Sequence, residues 1–180
     1  MSIKQEALGR LQEQQVYAYT LTNSNGVAVR IMNYGGIITH IFLPSIHGST
    51  VNIVAGFNTL EAYTNENYMQ ACPYFGALIG RYANRIKDGA FTVNGEQVQV
   101  SRNQEGNSLH GGFKGFDKVI WDSYTEANKD AEALHLQYIS PHGEEGFPGA
   151  LDVQVTYQLN EANELTMHAR ALNQSGPPTP

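Results

Sequence analysis

Three side chains in two short stretches are of types that could act on a hydroxyl-rich ligand. One of them is His110, which lies in "NSLHGGFKGFDKVIW" (residues 107–121) and is followed by two glycines. Glycine allows backbone conformations that bring the main chain close to a ligand. A histidine held there could accept or donate a proton near neutral pH. The alternative is a turn histidine that bonds only backbone, and the residues alone favour neither.

The other two candidates are Asn84 and Arg85, in "LIGRYANRIKDG" (residues 78–89). If this stretch is extended, Arg81 and Arg85 share one face and Asn84 lies on the other. An irregular turn at residues 83–84 would instead direct Asn84 and Arg85 into one cavity. Asparagine offers a donor and an acceptor, and arginine offers a fixed fork of donors, which suits neighbouring sugar hydroxyls. The alternative is that both arginines are surface or ion-pair residues.

Two adjacent carboxylates, Glu144 and Glu145, lie in the glycine- and proline-rich stretch "SPHGEEGFPGAL" (residues 140–151). Two such groups could supply a general base. Because adjacent side chains of an extended chain diverge, we interpret this stretch as a solvated structural turn.

The remaining histidines and the single cysteine give no sign of a metal site. The histidine spacing includes no H-x-x-x-H pair, and no CxxC is present. Cys72 lies among apolar residues and is interpreted as an inert buried thiol. We therefore expect no metal, and packing or surface roles for the other histidines, His40, His47, His135, His142 and His168.

The composition is that of a globular protein of 180 residues, with 41 % apolar and 16 % charged residues. This length fits one domain, residues 1–180. The net charge of −6 and the lack of a basic stripe argue against a nucleic-acid partner. The N-terminus is too polar for a signal peptide, and no apolar run approaches the roughly 20 residues of a membrane helix. The expected location is the cytoplasm, with no membrane partner.

Alternating apolar and polar residues separated by turn residues predict β-strands through most of the chain. Asn25-Gly26 and Asn94-Gly95 predict tight hairpin turns, in which both central residues have positive φ. Only residues 4–14 and 59–69 have a helical pattern. The predicted strand pairs are 16–22 with 27–35, the two arms of 90–101, 133–140 with 151–159, and 151–159 with 164–172.

Many short strands joined by turns predict an all-β, antiparallel β-sandwich or barrel. The last residues, "NQSGPPTP", have the composition of a connection between strands. We therefore expect a sheet that is incomplete at the C-terminus, with an unpaired edge or an uncovered apolar face. Such a face favours self-association.

Four blocks of sequence, taken together, resemble the galactose mutarotases, the aldose 1-epimerase family. In chain order they are "NYGGIITHIFLP", "GRYANRI", "NSLHGGFKGFDKVIW" and "SPHGEEGFPGALDVQVTYQL". The order and approximate separation of the blocks agree with the family over nearly the whole chain. A lone Asn-Arg pair would be a weak signal, whereas the series of blocks is specific.

The resemblance implies a large antiparallel β-sandwich that interconverts the α and β anomers of hexoses such as galactose and glucose, without a cofactor. In the family a carboxylate takes the proton of the C1 hydroxyl while a histidine protonates the ring oxygen. Asn84 and Arg85 match the family's contacts to sugar hydroxyls. His110 matches the first of two active-site histidines, which positions the substrate and assists near the ring oxygen.

The resemblance also implies that the principal histidine acid and the glutamate base follow after a segment like "GPPTP", where this chain ends at Pro180. The domain would then be the N-terminal portion of a mutarotase, inactive by itself. Two alternatives stay open, a non-catalytic carbohydrate-binding module and a regulatory relative without catalysis. The sequence does not distinguish a hexose from a hexose 6-phosphate.

Overall fold

The structure, a computed structural model, describes residues 2–127 and 131–175. The N-terminal part of the chain forms a five-stranded antiparallel sheet whose strands neighbour each other in chain order. The strands are β1 (Ser2–Leu11), β2 (Gln14–Thr22), β3 (Ala28–Met32), β4 (Ile37–Pro44) and β5 (Thr50–Asn52).

Strand β1 corrects one sequence-based prediction, because residues 4–14 were expected to be helical. Ile3, Leu8 and Leu11 all pack against the core, and their spacing mimics a helical stripe. The register of β1 against β2 shifts between Ala7 and Gly9. A bulge of this kind inserts an extra residue and reverses the alternation of faces, so a bulged strand can carry a helix-like pattern.

The segment from residue 53 to residue 121 has little regular structure. Two short helices, α1 (Leu60–Thr64) and α2 (Glu66–Ala71), confirm the helical prediction for residues 59–69. The side chain of Asn65 accepts a hydrogen bond from Tyr68 N at 3.0 Å and so begins α2 directly after α1 ends. The short strands of this segment form two-stranded ribbons, and they are β6 (Arg85–Ile86), β7 (Ala90–Val93), β8 (Glu96–Gln99) and β9 (Ser108–Leu109).

The second large sheet is antiparallel, has four strands and also follows chain order. The predicted hairpins of residues 133–159 and 151–172 are both present in it. The connection predicted for residues 173–180 is wrong for residues 173–175, which belong to the last strand of this sheet, and residues 176–180 lie outside the described residues. The strands are β10 (Asp122–Ala127), β11 (Ala131–Ser140), β12 (Ala150–Asn160) and β13 (Leu165–Ser175).

The two predicted asparagine–glycine hairpins differ in their turns. At the β7–β8 turn Asn94 and Gly95 have φ of 51° and 82°, as predicted. At the β2–β3 connection only Gly26 has a positive φ, of 80°. There the Asn23 side chain accepts hydrogen bonds from the backbone N–H groups of residues 25 and 27, at 3.1 and 3.0 Å. A side chain thus closes the second turn.

The main core lies between the two large sheets, so the predicted antiparallel sandwich is confirmed. Buried residues of β2 and β3 pack with buried residues of β11 and β12, and Trp121 is 1 % exposed among them. Polar contacts also join the sheets, since Tyr19 Oη lies 2.8 Å from Ser123 Oγ. The central apolar members are Leu21, Val29, Ile31, Leu134, Leu136, Val153, Val155 and Tyr157.

One edge of the second sheet is exposed. Strand β13 pairs only with β12 among the described residues, and its Met167 and Leu172 are 57 % and 48 % exposed. Met167 also lines an open apolar groove of about 470 Å³ with Leu78, Trp121 and Val155. Self-association through this face stays a prediction. No helix in residues 2–127 and 131–175 has the length and apolar character of a membrane span.

Candidate functional site

The structure brings the three predicted site residues together on the ribbon of β6 and β9. Arg85 pairs with Leu109 in this ribbon, and Asn84 and His110 lie one residue beyond that pair. The backbone N–H of His110 donates to the carbonyl oxygen of Asn84 at 3.1 Å. Two stretches 26 residues apart in sequence therefore meet at one point.

The His110 ring is fixed by a second bond to the same residue. The backbone N–H of Asn84 donates to His110 Nδ1 at 3.0 Å. Both residues adopt the left-handed region, with φ of 70° for Asn84 and 52° for His110. Since Nδ1 must accept, the neutral ring carries its proton on Nε2. No hydrogen bond to Nε2 occurs among the described residues, so this nitrogen can donate to a ligand.

The surroundings of His110 favour its neutral form. Partial desolvation lowers the pKa of His110, Asp117 opposes this effect, and the positive charges of Arg85 and Lys118 add to it. The Tyr74 ring meets the imidazole edge-on, with centroids 4.7 Å apart. Lys118 Nζ lies 5.1 Å from the centroid of the same tyrosine ring. His110 is therefore suited to act as a neutral hydrogen-bond donor near pH 7.

Arg85 is exposed, and hydrogen bonds to neighbouring side chains orient its guanidinium. Nε donates to Gln104 Oε1 at 2.7 Å, and Nη1 donates to Asn84 Oδ1 at 3.3 Å. The second N–H of Nη1 and both N–H groups of Nη2 make no hydrogen bond within the described residues. An irregular turn is present at residues 83–84, because Asn84 is left-handed and Arg85 begins β6. That this turn directs Asn84 and Arg85 into one cavity stays a prediction.

Gln104 and Asp117 are neighbours of the site that the sequence reasoning missed. Asp117 is 6 % exposed and bonds Lys118 Nζ through Oδ2, while its Oδ1 is buried without a partner among the described residues. Burial raises the pKa of Asp117, and Lys118 opposes that shift. A charged Asp-Lys pair between Phe116 and Val119 is the sequence signal that could have identified it.

The two glutamates predicted to lie in a structural turn are fully engaged. Glu144 accepts from Tyr138 Oη at 2.5 Å and from Ser140 Oγ. Glu145 accepts from the backbone N–H groups of Phe113 and Lys114, both at 3.0 Å. Their carboxylates diverge to different partners, but the chain is not extended there: Glu144–Gly146 form a 3₁₀ turn in which Glu145 is left-handed, with φ of 50°.

The other minor candidates occupy structural positions. Cys72 is half-buried, and its Sγ lies 4.0 Å from Asp117 Oδ2. His40 packs in β4 and its Nε2 lies 2.8 Å from Asn58 Oδ1, while His142 Nδ1 accepts from Gly149 N at 2.9 Å. Within the described ranges, no three histidine, cysteine or acidic side chains are grouped so that they could hold a metal ion.

Comparison with known proteins identifies the family. The sequence pattern of aldose 1-epimerase matches residues 17–180. The chain belongs to the aldose 1-epimerase family. It is 43 % identical over 148 residues to galactose mutarotase of Rattus norvegicus, which covers 82 % of this chain and 40 % of that protein. It is 35 % identical over 152 residues to aldose 1-epimerase of Escherichia coli strain K12, covering 84 % of this chain and 42 % of that one.

Solved structures of aldose 1-epimerases share the fold. The galactose 1-epimerase from Lactobacillus acidophilus superposes with a TM-score of 0.84 at 25 % identity, over 97 % of this chain and 49 % of that chain. An aldose epimerase homologue from C. elegans gives a TM-score of 0.74 at 23 % identity. This family member thus spans about two fifths of the curated relatives it matches and about half of the solved ones.

One groove formed by the described residues of this epimerase-family chain lies apart from the ribbon residues. It measures about 530 Å³ and is lined by Tyr34, Phe113, Lys118 and Tyr138, among others, but by none of Asn84, Arg85 and His110. We place the candidate site at the ribbon, because the polar groups with oriented, unused donors lie there. The groove adjoins the site through Lys118, which stacks on Tyr74 beside His110.

Proposed function

We propose that this chain provides the sugar-contacting part of an aldose 1-epimerase acting on hexoses such as galactose and glucose. Asn84 and Arg85 bind sugar hydroxyls, and His110 donates a hydrogen bond near the ring oxygen. The observation that carries the proposal is the bond from Asn84 N to His110 Nδ1 at 3.0 Å, because it leaves the Nε2 proton for a ligand. The similarity of the chain to rat galactose mutarotase and to E. coli aldose 1-epimerase supports it.

The geometry supports positioning and polarisation at this site. Ring opening of a pyranose requires removal of the C1 hydroxyl proton and protonation of the ring oxygen. The C1–C2 bond then rotates, and reclosure gives the other anomer. A neutral imidazole held by the backbone stabilises charge developing on the ring oxygen without being reoriented during the reaction. The Arg85 fork and the Asn84 amide hold neighbouring hydroxyls in place.

We further propose that the 180-residue chain alone does not catalyse mutarotation. Two carboxylates, those of Asp117 and Glu145, lie near His110, and each is already bonded to another group of the protein. Asp117 is paired with Lys118, and Glu145 is bonded to two backbone amides. Protonation of Glu145 would cost its two backbone hydrogen bonds, which makes it a poor general base. Burial raises the pKa of Asp117, but its carboxyl is 6 % exposed and bonded to Lys118, so a sugar hydroxyl does not reach it. The cytoplasmic location and the lack of nucleic-acid or membrane partners stay predictions of the sequence.

Two measurements on the purified chain test the proposal. Titration with galactose, followed by NMR, should move the signals of Asn84, Arg85 and His110 and leave those of Asn94, an asparagine in the remote β7–β8 turn, unchanged. Asn84→Ala and His110→Ala should weaken binding, whereas the matched control Asn94→Ala should not. A titration without site-specific shifts would overturn the sugar-binding role.

Polarimetry of α-galactose with and without the chain tests the catalytic part. We expect the spontaneous rate in both samples. A faster rate with the chain would overturn the proposed inactivity and make Glu145→Gln the first variant to assay. Binding by the chain without turnover is the expected combination. The same combination in a longer protein containing this sequence would favour a binding module over an epimerase.

A further inference from the structure

The connection between β11 and β12, residues 141–149, contacts both stretches that carry the candidate site. We call these residues the anchor loop. They lie in the second sheet's connection, whereas the β6–β9 ribbon belongs to the irregular segment before that sheet. The anchor loop is thus distant in sequence from both arms of the site.

The first contact is made by Arg81, three residues before Asn84. Its Nη1 donates to Pro148 O at 2.9 Å and its Nη2 to Pro141 O at 2.8 Å. The same guanidinium donates from Nε to Oγ of Ser140, the last residue of β11, at 2.7 Å. Arg81 thereby bonds both ends of the anchor loop. The carbonyl oxygens it binds orient it by geometry, which a lysine could not reproduce.

The second contact is made by Glu145, from inside the anchor loop. Its two carboxylate oxygens each accept one of the consecutive backbone N–H groups of Phe113 and Lys114 at 3.0 Å. The neighbouring Gly112 makes room, since a Cβ there would lie 2.2 Å from Glu145 Oε2. Hydrogen bonds to a charged acceptor are about twice as strong as neutral ones. Glu145 therefore fixes the chain three residues after His110.

The ribbon needs such support. Its strands β6 and β9 have two residues each, and even a full hairpin is only marginally stable alone. Arg81 holds the chain just before β6, and the Glu145 carboxylate holds it just after β9. The anchor loop thus restrains both exits of the ribbon from one side.

We infer that the anchor loop sets the relative position of Asn84, Arg85 and His110, with Arg81 and Glu145 as positioning residues for the sugar. This inference rests on the proposed function, because the groups positioned are the proposed sugar contacts. It assigns Glu145 a role other than that of a base. Glu145 acts through the backbone of residues 112–114 and does not touch the sugar.

The test compares Glu145→Gln with Glu96→Gln in the full chain. Glu96 lies in β8, is exposed and makes no side-chain hydrogen bond among the described residues. Glutamine keeps the shape of Glu145 but turns one acceptor into a donor that faces a backbone N–H. We expect the NMR signals of the Phe113 and Lys114 amides and of the His110 ring to shift and the pKa of His110 to change. Galactose affinity should fall about tenfold, the equivalent of one hydrogen bond. Glu96→Gln should do none of this.

The His110 ring signals separate this inference from the proposed function. If wild-type protein does not bind galactose, the sugar role is overturned, and the ring signals still decide whether Glu145 positions His110. Unchanged Phe113, Lys114 and His110 signals in Glu145→Gln would overturn the inference even where galactose binds.

Two further variants keep the test decisive if Glu145→Gln does not fold. Glu145→Asp retains the charge with a shorter reach, so the Phe113 and Lys114 amide signals and the His110 ring signals should shift from their wild-type positions. Arg81→Lys should shift the NMR signals of Asn84 and Arg85 more than those of Lys114. A Glu145→Asp protein with wild-type amide signals, together with an Arg81→Lys protein with wild-type Asn84 signals, would contradict the anchor.

Discussion

The two-sheet sandwich and the irregular segment of residues 53–121 are stabilised by different kinds of contact. In the sandwich, ladders of backbone hydrogen bonds and buried apolar side chains dominate, as in the β11–β12 pair. In the irregular segment, single side chains bond distant backbone groups, as Glu145 bonds Phe113 and Lys114. Many small contacts together stabilise the sandwich, whereas a few specific hydrogen bonds fix the conformation of the irregular segment.

The difference explains where the candidate site lies. Left-handed residues and bulges are costly, and they persist where surrounding structure determines them. Asn84 and His110 are both left-handed and are bonded to each other twice. The sandwich supplies the rigid frame, and the irregular segment presents the polar groups to a ligand.

The largest effect should follow from removing a side chain that joins the two regions. Trp121 is 1 % exposed and packs edge-to-face on Phe116, with centroids 5.5 Å apart. Trp121→Ala should lower the free energy of unfolding by about 3–5 kcal/mol, through lost burial and a cavity. Urea denaturation measures the loss. Phe113→Ala, which removes a ring that is 63 % exposed, is the control and should cost far less. Equal losses would mean that the irregular segment does not depend on the sandwich core.

The strands were predictable because their signal is local. Alternation and turn residues identified the hairpin of β7 and β8 and the β11–β13 meander. The helical prediction for residues 4–14 was wrong, because the bulge between Ala7 and Gly9 interrupts the alternation of strand β1. The candidate site residues were proposed from their types and from the family resemblance, but the bonds between them were not predictable.

The contacts that determine the site's geometry have no local signature. Gln104 binds Arg85 across 19 positions, and Glu145 binds Lys114 across 31. Nothing in the composition of either stretch identifies its partner. The register that brings Asn84 to His110 depends on these long-range bonds, so the three-dimensional structure was needed to reveal it.

A second prediction separates two costs of replacing a glycine, the strain of a left-handed backbone and a clash with neighbouring main chain. Gly111 has φ of +91°, and a Cβ there would lie 1.8 Å from Gly80 O. Gly111→Ala should cost about 2–3 kcal/mol, because it adds a clash with main chain to the cost of a left-handed alanine. Gly106→Ala, at φ of +82° with open space around it, should cost only about 1 kcal/mol. Chemical denaturation of both variants measures the difference, and equal costs would show that residues 80 and 111 need not approach closely.

A smaller effect should follow from breaking one polar contact inside the sandwich. Tyr19 Oη and Ser123 Oγ lie 2.8 Å apart and join the two sheets. Tyr19→Phe should lower the free energy of unfolding by about 1 kcal/mol, with Ser123→Ala costing about the same. The double variant should cost less than the sum of the single variants, since neither partner is left unpaired. Additive thermal-unfolding losses would indicate that the two hydroxyls are satisfied independently.

The smallest predicted effect concerns pH and tests the irregular segment alone. Desolvation lowers the pKa of His110 in the folded protein, with Asp117 opposing and Arg85 and Lys118 reinforcing the shift. The unfolded chain, with a histidine pKa of about 6.5, therefore takes up this proton at a higher pH than the folded chain does. By linkage, the contribution of His110 to stability is complete above that value and decreases as the pH falls below it. His110→Gln should flatten the stability profile between pH 7 and the lowered folded pKa, as followed by denaturation at each pH. The difference in free energy of unfolding between wild type and His110→Gln should grow as the pH rises towards 7. A difference that is constant over this window would show that the bond from Asn84 does not favour the neutral form of the His110 ring.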